Sequence, residues 1–362
     1  MQPDQSGTSH LDDVVAREFA PESVYLNSAS MGLPPARTVA ALREGVTEWA
    51  AGWSDPPAYD APVGAARRAF ARLAGAGERQ VAIGSTASEH AAVVAASLPA
   101  GSQVLFAEGE FTSVMPALQH RGDLRVRAVP LERLAESVDA DTALVAVSIA
   151  QSADGRVADP AELRAATRRH GARLLLDASQ SAGWLPLPTG DDRPDYLVCA
   201  AYKWLLAPRG ASFFAVTEDA MPTLRVIAPS WYAGEDPWTS CYDEVPLAAS
   251  ARRFDRPPAW LPFVGAAQSL SLIEEVTPAA IGAHDRALAA RCREGLRELG
   301  HAPVAADSAI VSVPGVGDLA KELAAAGIRV SARAGGLRIA FHLYNSAADV
   351  DALLARLPAR AA

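Results

Sequence analysis

Short apolar segments alternate with amphipathic segments through the middle of the chain, from residue 81 to residue 216. The apolar segments have the length and composition of strands buried on both faces, and the segments between them repeat apolar positions at helical spacing. We predict strands at residues 81–83, 103–106, 124–129, 143–149, 174–176, 196–199 and 212–215. We predict helices between them at residues 87–97, 114–120, 131–138 and 160–170. This order is typical of an α/β fold with a largely parallel, doubly covered sheet.

The pattern changes on both sides of this region. On the amino-terminal side, a polar arm or short helix precedes a predicted strand at residues 24–27 and helices at residues 36–51 and 63–74. A loop-rich stretch with several tryptophans and tyrosines, residues 227–260, leads to the carboxyl-terminal side. There we predict helices at 264–276 and 278–299, a strand at 309–313, a helix at 319–326, strands at 328–331 and 337–341 and a helix at 347–357. We expect an arm (1–24) that packs with the small domain, a large domain (25–249) and a small α+β domain (250–362).

Composition narrows the range of partners. The 362 residues are 50% hydrophobic and carry a net charge of −9 without a run of like charge, which argues against nucleic acid or an anionic membrane as the main partner. The amino terminus has no signal-peptide pattern and no apolar stretch reaches membrane-spanning length, so we expect a cytoplasmic protein. The three cysteines, Cys199, Cys241 and Cys292, are too widely spaced for a disulfide framework or a zinc site, and no metal is expected. We expect them to be small buried residues; Cys241, in a loop, could instead lie near a site.

A lysine and an acid follow two of the predicted strands. Lys203 comes shortly after the strand at 196–199, before the turn Pro208-Arg209-Gly210, and Asp177 directly follows the apolar run 173–176. A lysine amine forms a Schiff base with an aldehyde cofactor, and a carboxylate keeps the pyridine nitrogen of such a cofactor protonated, so that the ring absorbs a carbanion's electrons. Taken singly, such a lysine is usually a solvated strand end and such an acid a turn or helix cap. The interpretation therefore depends on the other motifs.

Three further features support a cofactor site, and each has a simpler alternative. Gly84-Ser85-Thr86 leaves a strand and enters a helix, where free amides and the helix dipole suit a phosphate, although Ser85 or Thr86 could be an ordinary cap. Phe111 follows the next strand and could stack on a flat ring or belong to the core. Arg338 is the single charge in an apolar strand, suited to clamp a carboxylate or to form a structural ion pair.

Together these motifs resemble the class-V aminotransferase family, the pyridoxal-phosphate enzymes of fold type I that include cysteine desulfurases, kynureninase-like and isopenicillin-N-epimerase-like proteins. The resemblance runs from Tyr25 to Asn345, and residues 176–180, 202–210 and 338–345 carry it. It implies a large domain with a mostly parallel seven-stranded sheet and a small α+β domain. It also implies pyridoxal 5'-phosphate as cofactor, an amino-acid substrate, and a homodimer with each active site at the interface.

The resemblance also implies roles for individual residues. Lys203 would hold the aldehyde and move the α-proton, while Asp177 would pair with the pyridinium nitrogen. Arg338 would bind the α-carboxylate of the substrate, and Asn27 would contribute to substrate binding. The remaining implied contacts are with the cofactor: Gly84, Ser85 and Thr86 at the phosphate, Phe111 on the ring, Gln180 at the phenolic oxygen or the Schiff base, and Tyr202 beside the lysine.

Three departures from the family pattern matter. The residues before Lys203 are Ala200-Ala201-Tyr202, where relatives often carry Ser-Ala-His, so Tyr202 could donate to the phosphate instead. A segment that in relatives brings a threonine to the partner's phosphate reads Arg253-Phe254-Asp255-Arg256-Pro257-Pro258, and one of its arginines could substitute. No cysteine lies between Cys292 and Arg338, where desulfurases need a nucleophilic one.

The missing cysteine and the local likeness to hercynylcysteine sulfoxide lyases favour a C–S lyase that acts on a cysteine S-conjugate or its sulfoxide. Residues 151–155 and 203–210 carry that likeness. The alternatives are an aminotransferase or an amino-acid epimerase, since all three reactions begin by breaking a bond at Cα. A pyridoxal-phosphate-binding regulator without catalysis is disfavoured by Lys203, Asp177 and Arg338. The aromatic loop from Trp231 to Tyr242 could cover a bulky substrate or pack a dimer interface.

Overall fold

The structure is a computed structural model that describes residues 5–239, 242 and 246–360, with side chains from residue 11 onward. Its strands are β1 (Val24–Tyr25), β2 (Val81–Gly84), β3 (Gln103–Ala107), β4 (Arg125–Val129), β5 (Thr142–Ser148), β6 (Arg173–Asp177), β7 (Tyr196–Ala200), β8 (Ser212–Val216), β9 (Ile310–Val313), β10 (Ile328–Arg329), β11 (Ser331–Arg333) and β12 (Gly336–Ala340). Its α-helices are α1 (Gln5–Glu18), α2 (Ala36–Ala50), α3 (Asp60–Leu73), α4 (Ala87–Ser97), α5 (Met115–Gln119), α6 (Pro160–His170), α7 (Trp260–Val276), α8 (Pro278–Glu298), α9 (Leu319–Ala325) and α10 (Ala347–Leu354).

Seven strands form the central sheet, in the order β2-β8-β7-β6-β5-β3-β4. The five strands from β7 to β4 are mutually parallel, and β8 runs antiparallel to both of its neighbours, β7 and β2. Strands β2, β7 and β8 are buried along their whole length, which is why they read as unbroken apolar runs in the sequence. The predicted α/β fold with a mostly parallel seven-stranded sheet is confirmed.

A smaller unit is formed by α8 and the segments after it. Its antiparallel sheet has the order β11-β12-β9, and α8 and α10 pack beside it around a core that includes Leu288, Val311, Ile339 and Phe341. Strand β1 pairs in parallel with β10, so the chain segment after α1 belongs to this unit. The predicted strand at 328–331 is divided into β10 and β11.

Helix α7 packs against α2 and α3, and its apolar residues Phe263, Leu270 and Ile273 join the core under the central sheet. It ends at Thr277, whose positive φ of 76° redirects the chain into α8 and whose side chain accepts a hydrogen bond from Ala280 N. This packing favours a boundary later than residue 250, and we propose that the small domain begins with α8.

One predicted helix is wrong. Residues 131–138 form only a short 3₁₀ turn, Leu131–Arg133, followed by further turns. Leu131, Leu134 and Val138 are buried as their spacing suggested. The helix is not completed because the polar residues that follow, including Asp139, bond locally in the turn before β5: Asp139 N donates to Thr142 Oγ1 at 3.1 Å.

The two described free cysteines, Cys199 and Cys292, are buried, while Cys241 lies outside the described residues. Within the part of the chain that the structure describes, no helix combines the length and apolar character needed to cross a membrane.

Candidate active site

The carboxyl ends of the parallel strands bring most of the predicted residues to one edge of the sheet. Asp177 ends β6 beside Ser148, the last residue of β5. Lys203 lies three residues beyond the end of β7. Gly84, at the end of β2, faces Ser212 across the β2–β8 pair, and Ser212 in turn faces the last residue of β7. Such an edge is the usual ligand site of an open α/β sheet.

Lys203 is buried, with only 5% of its surface exposed. Its ammonium lies 5.1 Å from the ring centroid of Phe111 and 5.7 Å from that of Tyr202. None of the hydrogen bonds or ion pairs among the described residues involves this ammonium. Burial lowers the pKa of Lys203, and the charge of Asp177 partly opposes that shift. A lysine in this environment is a more available nucleophile than a solvated one.

Lysine is rare in this chain. Of 33 basic residues only Lys203 and Lys321 are lysines, and Lys321 is exposed on α9. Since arginine serves nearly everywhere else as the cation, a buried lysine points to chemistry that arginine cannot perform.

Asp177 is a buried carboxylate that forms hydrogen bonds with Ser179. Its Oδ1 accepts a hydrogen bond from Ser179 N at 2.7 Å, and the Ser179 side chain also bonds to the carboxylate. Burial raises the pKa of Asp177, while the Ser179 bonds and the charge of Lys203 lower it. A protonated ring nitrogen would be a further donor to this carboxylate.

Glu110 was not among the predicted site residues, although it immediately precedes Phe111 after β3. Its carboxylate accepts hydrogen bonds from Ser148 N at 2.8 Å, from Ser148 Oγ and from Gln151 Nε2 at 3.1 Å. Burial raises the pKa of Glu110, and the nearby Asp177 raises it further. Glu110 thus anchors the segment that presents the Phe111 ring, which is 40% exposed, to the lysine.

Arg338 is buried on β12 and forms four hydrogen bonds to neutral groups. It donates to Ser331 Oγ at 3.1 Å, to the carbonyl and Oγ of Ser152 at 2.7 and 2.9 Å, and to Ser30 Oγ at 2.8 Å. Burial, with a smaller contribution from Arg333, lowers the pKa of Arg338 to about 9. No acid among the described residues pairs with it, so the structural ion pair considered above is absent there and the cation is left for an anionic ligand.

Sequence reasoning missed the second arginine and the two serines that complete this corner. Arg333 Nη2 donates to the same Ser30 hydroxyl at 3.3 Å, which places two guanidinium groups beside one another. Asn27 pairs with Ala340 in an isolated bridge, and its Oδ1 is buried without a partner among the described residues. A polar ligand held near Arg338 would find an acceptor in Asn27.

Gln180 connects the lysine segment to the arginine. Its amide nitrogen donates to Ala29 O at 3.0 Å and to Ser152 Oγ at 3.1 Å, and its Oε1 accepts from Trp204 Nε1 at 2.8 Å. Both amide hydrogens are thus engaged with protein groups. The predicted contact with the phenolic oxygen or the Schiff base requires one of these two bonds to open.

The start of α4 already holds an anion. Thr86 caps the helix by accepting from Glu89 N at 3.3 Å, as the simpler alternative proposed, and the Glu89 carboxylate accepts from Thr86 N at 2.8 Å and from Ser85 N. These are the two amides predicted to bind phosphate. They suit an anion, and a phosphate would take the place of the Glu89 carboxylate.

The remaining predicted residues lie as follows. The Tyr202 ring stands between the Lys203 ammonium and the Arg209 guanidinium, which is 5.4 Å from its centroid. In the segment without threonine, Arg253 has a buried Nε without a described partner, and Arg256 is exposed. The described part of the aromatic loop turns towards α3: Tyr232 Oη and Trp238 Nε1 both donate to Asp60, at 2.6 and 2.7 Å.

The described residues fit the expected aldehyde cofactor. They provide a buried amine without an acid partner, a buried carboxylate, an aromatic face beside the amine and a helix start that binds an anion. An unpaired, buried guanidinium completes the set on the side of the small domain.

Comparisons with known proteins agree with this geometry. The family model described as aminotransferase class-V matches residues 24–353. The uncharacterized aminotransferase YcbU of Bacillus subtilis (strain 168) is 29% identical over 299 residues, which are 78% of this chain and 79% of that protein. Isopenicillin N epimerase of Amycolatopsis lactamdurans is 29% identical over 185 residues, 46% of each chain.

Solved structures show the same fold. The apo cysteine desulfurase from Thermococcus onnurineus NA1 superposes with a TM-score of 0.83 at 22% identity, covering 95% of this chain and 96% of that one. The cystine C-S lyase C-DES in complex with its reaction product cysteine persulfide gives a TM-score of 0.85 at 21% identity, covering 92% of this chain and 97% of that one.

Proposed function

We propose, on the premise that this chain belongs to the class-V aminotransferase family, that it is a C–S lyase acting on a cysteine S-conjugate or its sulfoxide. Membership rests on the family match across residues 24–353, and it makes the chain a pyridoxal 5'-phosphate-dependent enzyme. The observation that carries the proposed chemistry is the buried Lys203 without an acid partner, whose pKa is influenced by the charges of both Asp177 and Arg338.

Each of these side chains has a defined task in the proposal. The cofactor, when bound, absorbs the electrons of the bond broken at Cα. Asp177 holds a proton at the ring nitrogen, and Phe111 stacks on the ring. Arg338 binds the α-carboxylate by its planar guanidinium and thereby orients the Cα–H bond towards Lys203, which removes the proton.

Elimination follows if the β-carbon carries a sulfur leaving group. Loss of the α-proton and of the C–S bond, with uptake of one water molecule, converts the substrate into a thiol, pyruvate and ammonia; a sulfoxide yields a sulfenic acid instead of the thiol. The sequence between Cys292 and Arg338 contains no cysteine, so it offers no side chain that would take the sulfur as a persulfide. This feature supports elimination over desulfuration. The similarity to C-DES, named a cystine C-S lyase, is consistent with it.

Transamination and epimerisation are the second candidates, because the relatives in sequence include an aminotransferase and an epimerase. Both reactions use the same lysine, acid and arginine. A cofactor converted to its amine form and restored by a keto acid would identify transamination. Deuterium exchange at Cα without net product would identify epimerisation.

We further propose a cytoplasmic homodimer. Val46, Trp49 and Trp53, at the end of α2 and just beyond it, are 48%, 67% and 79% exposed, an arrangement that suits a subunit contact. Sedimentation of the cofactor-loaded protein tests the dimer, and a single species with the mass of one chain would refute it.

The first experiment is product analysis with purified, cofactor-loaded protein and a panel of cysteine S-conjugates and sulfoxides. We expect pyruvate and ammonia in equal amounts, abolished in Lys203→Ala and retained in Lys321→Ala, which alters the one other lysine of the chain. Borohydride reduction should attach the cofactor to Lys203. If no pyruvate forms and the substrates instead convert the cofactor to its amine form, the lyase proposal fails and transamination takes its place.

A further inference from the structure

The turn that carries Lys203 is tightly packed. Leu206 has a positive φ of 57°, which is unusual for a branched side chain. A Cβ atom on Gly32 would lie 2.1 Å from the Lys203 carbonyl oxygen, and a Cβ on Gly183 would lie 2.2 Å from the Trp204 carbonyl oxygen. The backbone of this turn is therefore pressed against two glycines, and its position depends on the groups that hold its carbonyls.

Hydrogen-bond donors from separate parts of the chain bind carbonyl oxygens of this turn. Gly32 N donates to the Tyr202 carbonyl at 3.0 Å, and Ser269 Oγ on α7 donates to the Leu206 carbonyl at 2.9 Å. The carbonyl between them, that of Trp204, is bound to the His342 Nε2 atom at 3.0 Å.

His342 is fixed in one tautomer. Leu343 N donates to Nδ1 at 2.7 Å, so Nδ1 is an acceptor and the ring proton resides on Nε2, which donates to the Trp204 carbonyl. Burial lowers the pKa of His342 to about 4, which keeps the ring neutral at physiological pH. The imidazole is stacked between the rings of Trp204 and Tyr344, with centroid distances of 5.5 and 5.4 Å.

His342 also belongs to the segment that carries the carboxylate clamp. It lies four residues beyond Arg338, and its backbone N–H donates to Asn345 Oδ1 at 2.9 Å. Asn345 Nδ2 in turn donates to Tyr25 O at 2.9 Å, so the backbone at His342 is anchored independently of its ring. The ring hydrogen bond is thus a direct connection between the Arg338 segment and the peptide next to Lys203.

We propose that His342 is a positioning residue that sets the place of Lys203 relative to Arg338 by holding the Trp204 carbonyl. In this role it acts through the Trp204 carbonyl and not by contact with the substrate or the cofactor. This inference rests on the proposed role of Lys203 and applies equally to elimination, transamination and epimerisation, because each requires the lysine at the Cα of a substrate held by its carboxylate.

Two variants test the hydrogen bond. His342→Phe keeps an aromatic ring between Trp204 and Tyr344 and removes the donor, whereas His342→Gln replaces Nε2 with an amide donor. With His342→Phe we expect borohydride trapping of pyridoxal 5'-phosphate on Lys203 to slow by about tenfold or more, since small displacements of a reacting group cost that much. For an accepted substrate, kcat should fall by a similar factor while KM changes less. His342→Gln should restore both rates to within about threefold of the native values.

His301→Phe is the matched control. His301 is also buried and its Nε2 lies 2.9 Å from a backbone carbonyl oxygen, that of Pro358, in a different part of the small domain. We expect it to leave the trapping rate and kcat unchanged. Native trapping in His342→Phe, or equal losses in both phenylalanine variants, would overturn the proposal. Because trapping needs no substrate, this result is independent of whether the protein is a C–S lyase.

Discussion

Glu89 competes for the amides that start α4. Its carboxylate is bound to Thr86 N and Ser85 N, the groups that a phosphate would use. We expect Glu89→Ala to bind pyridoxal 5'-phosphate about tenfold more tightly, because the variant frees amides that otherwise form charge-assisted hydrogen bonds. Quenching of tryptophan fluorescence during titration of the apoprotein measures the affinity.

Glu162→Ala is the control for that titration, since Glu162 also lies in the first turn of a helix, α6, whose cap is Asp159. Its cofactor affinity should equal that of the native protein. Weaker binding by Glu89→Ala would mean that Glu89 supports the phosphate site rather than competing for it.

Among single residues, the isolated charged side chains of the site were identified from the sequence alone. Lys203, Asp177 and Arg338 are each an isolated charged group at or in an apolar strand, and that contrast is visible without a structure. Ser30 and Ser152 escaped notice because serines are common and the contacts of these two with Arg338 span about 190 to 310 positions. Which residues meet across such separations is decided by packing, which a local pattern does not encode.

Among the elements, a buried ion pair joins α3 and β2 to the segment that follows the aromatic loop. Arg67 donates to both carboxylate oxygens of Asp255, at 3.1 and 2.6 Å, and to the Val81 carbonyl at 2.6 Å, while Asp255 Oδ1 also accepts from Ile83 N. We expect Arg67→Met to lower the free energy of unfolding by about 3–5 kcal/mol, because it leaves the Asp255 charge buried without its partner. Urea denaturation provides the measurement.

The neighbouring Arg68→Met serves as the comparison. Arg68 lies on the same helix and pairs with Glu78 at 3.4 Å, but both side chains are about half exposed. The expected loss is below about 1 kcal/mol. Equal losses in the two variants would show that the buried pair contributes no more than an exposed one.

The strands of the central sheet were all identified. For β2, β7 and β8 the reason is that strands buried on both faces are recognisable from their apolar composition, whereas β4 contains two arginines and is largely exposed. The segment 131–138 misled the prediction because Leu131, Leu134 and Val138 have helical spacing while only turns connect them. Three buried apolar side chains fix where this short segment packs on the core, but they do not determine which hydrogen bonds its backbone forms.

At the scale of the whole molecule, α8 joins the two units, and Asp285 lies within that joint. Gly282 packs directly against the Trp184 backbone of the large unit, and His284 Nε2 lies 2.9 Å from the Asn345 carbonyl oxygen of the small one. Asp285, the residue after His284, is fully buried, and no described residue donates to either of its oxygens. Burial raises the pKa of Asp285 well above its ordinary value.

The raised pKa of Asp285 determines how the stability of the protein changes with pH. Because the folded state holds the Asp285 proton more tightly than the unfolded chain does, the contribution of Asp285 to stability falls as the pH rises above the unfolded value. We expect Asp285→Asn to have a higher Tm than the native protein at about pH 7, with the difference shrinking towards about pH 4. Thermal unfolding followed by circular dichroism across this range measures the difference.

Glu294→Gln, an exposed neutralisation on the same helix, should leave the Tm nearly unchanged at both pH values. A difference in Tm between the native protein and Asp285→Asn that stays constant across the pH range would contradict the proposed ionisation.

The arrangement of the two units could be anticipated only in part, because the apolar face of α7 did not reveal that it packs on α2 and α3 rather than on the small sheet.

The position of β8 in the central sheet also affects the order in which parts of the sheet can form while the chain is being synthesised. Strand β2 pairs with β8 alone, about 130 residues further along the chain, and its Ile83 amide is bound to Asp255, which is made later still. A nascent chain that ends before Ser212 therefore lacks the partner that places the start of α4 at the sheet edge. We expect amides 81–84 to exchange freely in a chain arrested near residue 205 and to be protected once the segment through residue 255 has emerged. We therefore expect a chain that ends before Ser212 to retain pyridoxal 5'-phosphate more weakly than the full chain does, because the start of α4 is not yet held at the sheet edge.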